Sequence, residues 1–254
     1  MNKSNFSVSQ YQQDGYTGPV PMLSEAEAAE GRRAFFDAIG QTEATAGPTK
    51  ERTAGLNLHH RWVHDLATRD DILDYVAQIL GPDLVLWATV FWYKEPRNTT
   101  FIPWHQDATY WPMEPRINLT VWIAMGPVRR ENGCLRLIPG SHKIWMDDDY
   151  RKLEPESAFN TGLAADQVDE SKAVHLEMAP GDAVFFTEAT LHGSDTNRSG
   201  LPRVAFALRF TTPEVRFDPA GLKEKGIDYL VKTMLVRGED RYHHNDSLQW
   251  APPV

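Results

Sequence analysis

From Leu84 onward the chain changes its hydrophobic rhythm, and no other feature of the sequence constrains the fold as much. Leu119, Val121, Ile123 and Met125 alternate with Asn118, Thr120, Trp122 and Ala124. A period of two marks a half-buried strand, because successive side chains leave opposite faces. Leu84–Lys94 is rich in β-formers, and Leu135–Ile138, Ala183–His192 and Arg203–Phe210 read as further strands. Short strands broken by Pro and Gly turns build a sandwich or a barrel. Upstream the rhythm is helical. Ser24 and Glu27 have capping-box spacing, and Ala28, Arg32, Phe35, Phe36 and Ile39 follow before Gly40. Ile72, Val76, Ile79 and Leu80 form the apolar stripe of a second helix, Asp70–Leu80, which Gly81 and Pro82 end. The expected fold is mainly β with flanking helices that cover one sheet.

The length of 254 residues suits one domain, 1–254. Gln41–Glu51 is polar and reads as a mobile loop. Lys143–Ala179 is long, polar and weakly periodic, which predicts a lid or binding loop, or a disordered insertion, between core strands. In the tail after Thr212 a helix is expected over Leu222–Val236. Net charge is −9 and there is no basic run, which argues against nucleic acid as a partner. No window reaches the roughly 18 apolar residues of a membrane span, and Met1–Gln10 lacks the apolar stretch of a secretory signal. The single cysteine, Cys134, allows no internal disulfide. A cytoplasmic protein acting on a small molecule, away from membranes, is the expectation. No feature assigns an oligomeric state.

In a strand, residues i and i+2 share a face, so His105 and Asp107 can reach one ion from one strand end. A His-x-Asp pair is too common by chance to carry an assignment alone. His192, at the end of a β-run, can supply the third ligand. Two imidazoles and one carboxylate leave about three positions open on iron(II), enough for a bidentate oxo-acid and dioxygen. The same set suits catalytic zinc. Ser194 lies two residues after His192, and Arg203 eleven residues after it. Arg203 shares a strand face with Ala205 and Ala207, while Val204, Phe206, Leu208 and Phe210 point the other way. A guanidinium beside small residues suggests a cavity, and a buried one needs an anion. The distal carboxylate of 2-oxoglutarate fits, with Ser194 adding a hydrogen bond. A protein carboxylate is the plainer alternative.

Other residues invite a role and a blander reading together. Asn118, Thr120 and Trp122 are expected to face the cavity and contact cosubstrate or substrate, against exposure to solvent. Glu188 shares a side with His192 and could orient it. Asn57, His59, His60, Arg61 and His64 could recognise an anion or simply lie on the surface. His142 reads as structural, His243 and His244 as solvated, and Cys134 as a small core residue.

Ordered motifs run along the chain. Tyr11-Gln12-Gln13-Asp14-Gly15-Tyr16 opens, and Trp104-His105-Gln106-Asp107 and Trp111 follow. Glu131-Asn132-Gly133-Cys134-Leu135 and Ile138-Pro139-Gly140-Ser141-His142 come next, then Pro180-Gly181-Asp182, His192-Gly193-Ser194 and Arg203. This set, covering nearly the whole chain, resembles the phytanoyl-CoA dioxygenase family of iron(II)/2-oxoglutarate oxygenases. The resemblance implies a double-stranded β-helix, a cupin-like jelly roll, with the metal at its open end. It implies His105, Asp107 and His192 as ligands of Fe(II), and Arg203 with Ser194 as the clamp on 2-oxoglutarate. It puts Trp111 beside the site and makes Ala88–Lys94 a wall of the cosubstrate pocket, with Trp92 where some relatives carry an amide. Dioxygen is the second cosubstrate, and succinate and carbon dioxide are released. Halogenating members lack the carboxylate ligand, so Asp107 favours hydroxylation over halogenation. Desaturation, cyclisation, a metal-bearing binding protein without turnover and a zinc hydrolase are the competing readings. The family acts on acyl-thioesters, amino acids, osmolytes, phosphonates and natural products, and the sequence does not choose among them.

Overall fold

The computed structural model describes residues 6–38, 40, 55–58, 60–226 and 231–250. Helix α1 (Val8–Asp14) leads into strand β1 (Tyr16–Pro21), followed by helices α2 (Glu25–Ala38), α3 (Arg61–Ala67) and α4 (Asp70–Leu80). Strands then dominate: β2 (Leu84–Lys94), β3 (Ile102–His105), β4 (Met113–Glu114), β5 (Leu119–Ala124) and β6 (Leu135–Leu137). A small hairpin, β7 (Arg151–Lys152) and β8 (Thr161–Gly162), precedes β9 (Val174–Leu176), β10 (Asp182–Thr187) and β11 (His192–Ser194). The long strand β12 (Arg203–Thr211), then β13 (Arg216–Phe217), helix α5 (Pro219–Glu224) and β14 (Met234–Arg237) complete the described chain.

Two sheets carry the architecture. One is six-stranded in the order β1-β10-β5-β12-β2-β14, the other four-stranded in the order β3-β11-β6-β9. Neighbours run antiparallel throughout both. Trp122, Val184, Phe186, Ala205 and Ala207 of the larger sheet pack with Leu135, Leu137 and Leu176 of the smaller, which makes the pair a jelly roll. The period of two dictates the layering. Leu119, Val121 and Ile123 of β5, with Val204, Phe206, Leu208 and Phe210 of β12, turn outward to the helices. There they meet Phe35 and Phe36 of α2, Val63 and Leu66 of α3, and Ile72, Leu73 and Val76 of α4. Phe91 and Phe206 stack with ring centres 4.2 Å apart. The odd-numbered residues of β12, Arg203 to Arg209, are left to face the space between the sheets.

The helix termini follow local chemistry. The Ser24 N–H donates to Glu27 Oε2 at 2.7 Å, and the Glu27 N–H donates to Ser24 Oγ at 3.2 Å, the reciprocal bonds of a capping box. Helix α4 has the bounds its apolar stripe predicts, and Gly81 caps it at φ 92°.

Several expectations need correction. Ala183–His192 is two strands, β10 and β11, because the chain turns at Glu188–Leu191 to pass from the larger sheet to the smaller. The segment Lys143–Ala179 is not a plain loop: it buries Leu163, Val168, Leu176 and Met178, and β9 is an edge strand of the smaller sheet. Leu222–Val236 is not one helix. α5 ends at Glu224, and Met234–Arg237 instead forms β14, paired with the edge of β2. α1, β1 and α3 were not anticipated. Ile39, Gln41–Glu51 and His59 lie outside the described residues. Among the described residues, no helix is long and apolar enough to cross a membrane.

Candidate metal centre

The site begins as a register. β11 lies between β3 and β6, and His192 pairs directly with His105. The two strands approach closely just beyond that pair. A Cβ on Gly193 would meet the carbonyl oxygens of Ile102 and Pro103 at 2.9 and 3.0 Å, so only glycine fits between His192 and Ser194. Asp107 opens a 3-10 turn, Asp107–Tyr110, two residues beyond the end of β3. The result is that His105, Asp107 and His192, all buried, offer ligand atoms within 4.8 Å of one another. His105 Nε2 lies 3.5 Å from Asp107 Oδ1, and His192 Nε2 lies 3.8 Å from Asp107 Oδ2.

The backbone chooses the tautomers. His105 Nδ1 is 2.8 Å from the Pro103 carbonyl, and His192 Nδ1 is 2.9 Å from the Thr190 carbonyl. A carbonyl only accepts, so each Nδ1 carries the proton and each Nε2 turns its lone pair to the shared centre. Burial, with His105 alongside, pushes His192 down to about 3, which keeps it neutral and able to ligate. Burial opposes ionisation of Asp107, but Arg209 and the imidazoles outweigh it and hold its carboxyl below the usual range. Two imidazole nitrogens and one ionised oxygen on one face are the donor set of a non-haem iron(II) site.

Arg209 escaped the sequence reading. It is buried on β12, lines the cavity at the triad, and places Nη2 3.8 Å from Asp107 Oδ1. Its guanidinium lies 4.4 Å from the ring centre of Trp111 and 5.6 Å from that of Trp87. The signal was present: the inward face of β12 reads Arg203, Ala205, Ala207, Arg209. Phe159 was also missed. It comes from the segment after β7, lines the cavity, and sets its ring edge-on to His105 at 4.9 Å.

Arg203 stands at the other end of that row. It is buried and lines the same cavity as the triad, together with Ser194, Thr120, Trp122 and Trp92. Among the described residues no carboxylate comes within salt-bridge distance of it, and its Nε has no hydrogen-bond partner. One long bond, 3.4 Å to the Trp92 carbonyl, and the Trp122 ring at 5.5 Å are its neighbours. Burial pushes it down to about 10. The buried Lys94, its register partner, is pushed to about 6 by burial and by Arg203, and donates to the Thr100 and Ser194 carbonyls at 3.3 and 3.4 Å. Arg203 therefore fits an anion that the described residues do not provide.

The other expected residues divide. Asn118 does not line the cavity. It donates to Thr120 Oγ1 at 3.1 Å and accepts from Trp87 Nε1 at 2.8 Å, so it stands behind Thr120. Trp111 packs on Arg209 and is likewise outside the lining. Glu188 does not orient His192. Its Oε2 accepts from the Asn118 N–H at 2.9 Å and from Thr187 Oγ1 at 2.8 Å. Asn57 accepts from Thr89 Oγ1 at 2.7 Å, and His64 stacks on Trp250 at 4.3 Å, both away from the cavity. His142 meets the Gln12 carbonyl at 3.3 Å, Cys134 is buried with its thiol pushed up to about 11, and His243 and His244 are exposed.

A jelly roll with two histidines and one aspartate gathered at the end of its smaller sheet defines a facial-triad metal protein of the non-haem kind. The family model of phytanoyl-CoA dioxygenase (PhyH) matches residues 11–205, and the chain belongs to that family. The human peroxisomal phytanoyl-CoA dioxygenase is 34% identical over 169 residues, covering 63% of this chain and 49% of the relative. The chain thus spans about half the length of the curated relatives it matches first. Among solved structures, apo ThoJ, described as a non-heme monooxygenase, has a TM-score of 0.76 at 25% identity, covering 97% of this chain and 88% of its own. SnoK, described as a non-heme alpha ketoglutarate dependent carbocyclase from nogalamycin biosynthesis, has a TM-score of 0.67 at 24% identity, covering 84% and 85%. CytC3, described with Fe(II) and alpha-ketoglutarate, has a TM-score of 0.68 at 24% identity, covering 98% of this chain and 97% of its own.

Proposed function

We propose that this chain, as one oxygenase domain, holds Fe(II) with His105, Asp107 and His192, holds 2-oxoglutarate with Arg203, and hydroxylates a C–H bond of a small molecule. The observation that carries the reading is Arg203, a buried guanidinium with no carboxylate partner among the described residues, opening into the cavity of the triad. A zinc hydrolase or a simple metal-binding jelly roll leaves that cation unexplained. A dicarboxylate oxo-acid explains it, with one end chelating the metal and the far carboxylate meeting the guanidinium fork.

Iron(II) with 2-oxoglutarate and dioxygen supplies the oxidising power, and succinate and carbon dioxide are the co-products. The protein contributes placement and exclusion of water. The Pro103 and Thr190 carbonyls fix both imidazoles, and Arg209 keeps Asp107 ionised. Ser194, which lines the same cavity, would add a hydrogen bond to the carboxylate that Arg203 holds. Asn118 holds the Thr120 hydroxyl at the cavity wall. Trp122 gives Arg203 an aromatic face, and Trp111 acts through Arg209. Phe159 and Tyr110 cover His105, and the Tyr110 hydroxyl donates to the Thr161 carbonyl at 2.7 Å, tying the β7–β8 hairpin over the site as a lid. Asp107 would occupy the position that chloride would otherwise take on the metal, which favours hydroxylation over halogenation.

The test is succinate release with Fe(II) and 2-oxoglutarate across acyl-thioesters, amino acids, osmolytes, phosphonates and natural products. Substrate-stimulated succinate and a hydroxylated product are expected. Full binding of a compound with no succinate from any of the panel would remove the oxygenase reading.

A further inference from the structure

Between His105 and Asp107 stands Gln106, and it is fully buried. A buried amide must have its polar groups satisfied. This one is satisfied by distant segments. Its Nε2 donates to the Ala189 carbonyl at 2.6 Å and to the Ile144 carbonyl at 2.8 Å. Its Oε1 accepts from the Met146 N–H at 3.0 Å. The main chain is gripped as well: the Gln106 N–H donates to Tyr150 Oη at 2.6 Å, and the Tyr150 hydroxyl lies 3.1 Å from the Gln106 carbonyl. Gln106 does not line the cavity.

The placement of those partners matters. Ala189 lies in the turn from β10 to β11, next to Thr190, whose carbonyl orients His192. Ile144 to Tyr150 belong to the segment that leads to the β7–β8 hairpin and Phe159. His105 and Asp107 are local to each other, whereas His192 arrives from a remote part of the chain. One planar amide therefore spans the strand end that carries two ligands, the turn that aims the third, and the segment beside the cavity.

We propose that Gln106 is a positioning residue: it fixes the separation of the two ligand-bearing segments and couples metal binding to the order of residues 144–150. The inference rests on the metal-site reading above. Metal–ligand distances tolerate only about 0.2 Å, so a brace between remote ligand segments acts directly on affinity. Two donors and one acceptor in a plane are what the site uses. Glutamate keeps the shape and loses both donors, and leucine loses all three groups. Coupling is reciprocal. A metal that locks the triad holds Gln106 and therefore protects the amides of 144–150, which include no ligand.

The experiment titrates Mn2+ into the full chain by calorimetry and follows amide exchange over 144–150 with and without Mn2+. The proteins are wild type, Gln106→Glu, Gln106→Leu, Asp107→Ala and Ile72→Ala. Both Gln106 variants are expected to bind Mn2+ roughly 10- to 100-fold more weakly, the range for groups that orient metal ligands. In Gln106→Glu the loss comes despite an added negative charge, which by itself would tighten binding. Ile72→Ala weakens the α4 packing, so it should lower Tm yet bind Mn2+ as wild type does. Mn2+ should protect 144–150 in wild type and not in the Gln106 variants. Wild-type affinity in both Gln106 variants, beside a crippled Asp107→Ala, overturns this inference alone. Equal affinity in wild type and Asp107→Ala overturns the metal-site reading and this inference with it. If Gln106→Leu fails to fold, Gln106→Glu carries the test. Failure of both to fold overturns the proposal, since Gln106 would then serve the fold rather than the metal.

Discussion

Arg203 and Arg209 stand on the same face of the same strand, separated by two alanines, and both are buried. Their surroundings differ. Arg209 faces Asp107 at 3.8 Å and rests against Trp111 and Trp87. Arg203 faces no carboxylate among the described residues; its neighbours are the Trp92 carbonyl and the Trp122 ring. Burial of a charge therefore does not mark a ligand site. Burial without a counter-charge does, because desolvation must be offset by something the chain does not supply.

The contrast can be broken most severely at Asp107, which serves both the metal and Arg209. Asp107→Ala should abolish measurable Mn2+ binding and succinate release together, as only two imidazoles remain. Product mass in chloride buffer checks the companion expectation for wild type, a hydroxylated product without chlorine. Undiminished hydroxylation by the variant would mean that Asp107 is not a ligand.

Arg203→Ala comes next. Losing one partner of a buried charge pair costs on the order of 2–5 kcal/mol, so the 2-oxoglutarate requirement should rise by about 30-fold to several thousand-fold. Mn2+ affinity should stay near wild type. Without 2-oxoglutarate, Tm should hold or rise, because the substitution removes a buried cation that has no carboxylate partner among the described residues. An unchanged 2-oxoglutarate dependence would dismiss Arg203 as the clamp.

Arg209→Met should behave in the opposite way. It leaves Asp107 without its cation, so metal-free stability should fall by roughly 1–3 kcal/mol in urea unfolding, with a smaller shift in 2-oxoglutarate requirement than Arg203→Ala gives. Exchanged phenotypes for the two arginines would defeat the comparison outright.

The gentlest effect is in pH. Burial holds His192 at about 3, whereas an unfolded imidazole titrates near about 6.5. As pH falls, the unfolded chain takes the proton first, so metal-free protein should lose stability from about pH 6.5 toward 3. Urea midpoints at pH 7 and 5 should differ by the equivalent of roughly 1–2 kcal/mol from this group. His192→Gln should flatten that slope, and an equally steep slope in the variant would place the titration elsewhere.

What the sequence disclosed follows from how local each signal is. The α4 stripe and the Leu84–Lys94 run carry their own periodicity, and their bounds agree with the structure. Strand alternation converts spacing into direction, which turns Arg203 into the cavity; it does not account for Asp107, which approaches His105 from a 3-10 turn past the end of β3. β1 was not, since Gly18 and Pro19 break its pattern, yet it pairs with β10 through an irregular register. β14 was read as helix because its identity depends on the free edge of β2, a partner far away in sequence. Arg209 was hidden among the bulky neighbours Leu208 and Phe210, although the period that exposed Arg203 also reaches it. Gln106 offered no pattern at all, because its meaning lies in carbonyls contributed by Ile144 and Ala189.

The pairing of His192 with His105 has one more consequence. Slipping β11 by a single residue would turn His192 and Ser194 to the opposite face and bring Gly193, which has no side chain to ligate, toward the centre. No partly correct alignment keeps all three ligands together, so the site is assembled in full or not at all. Metal uptake by a refolded sample therefore works as a census: the moles of Mn2+ bound per mole of chain count the molecules whose strands found their proper alignment.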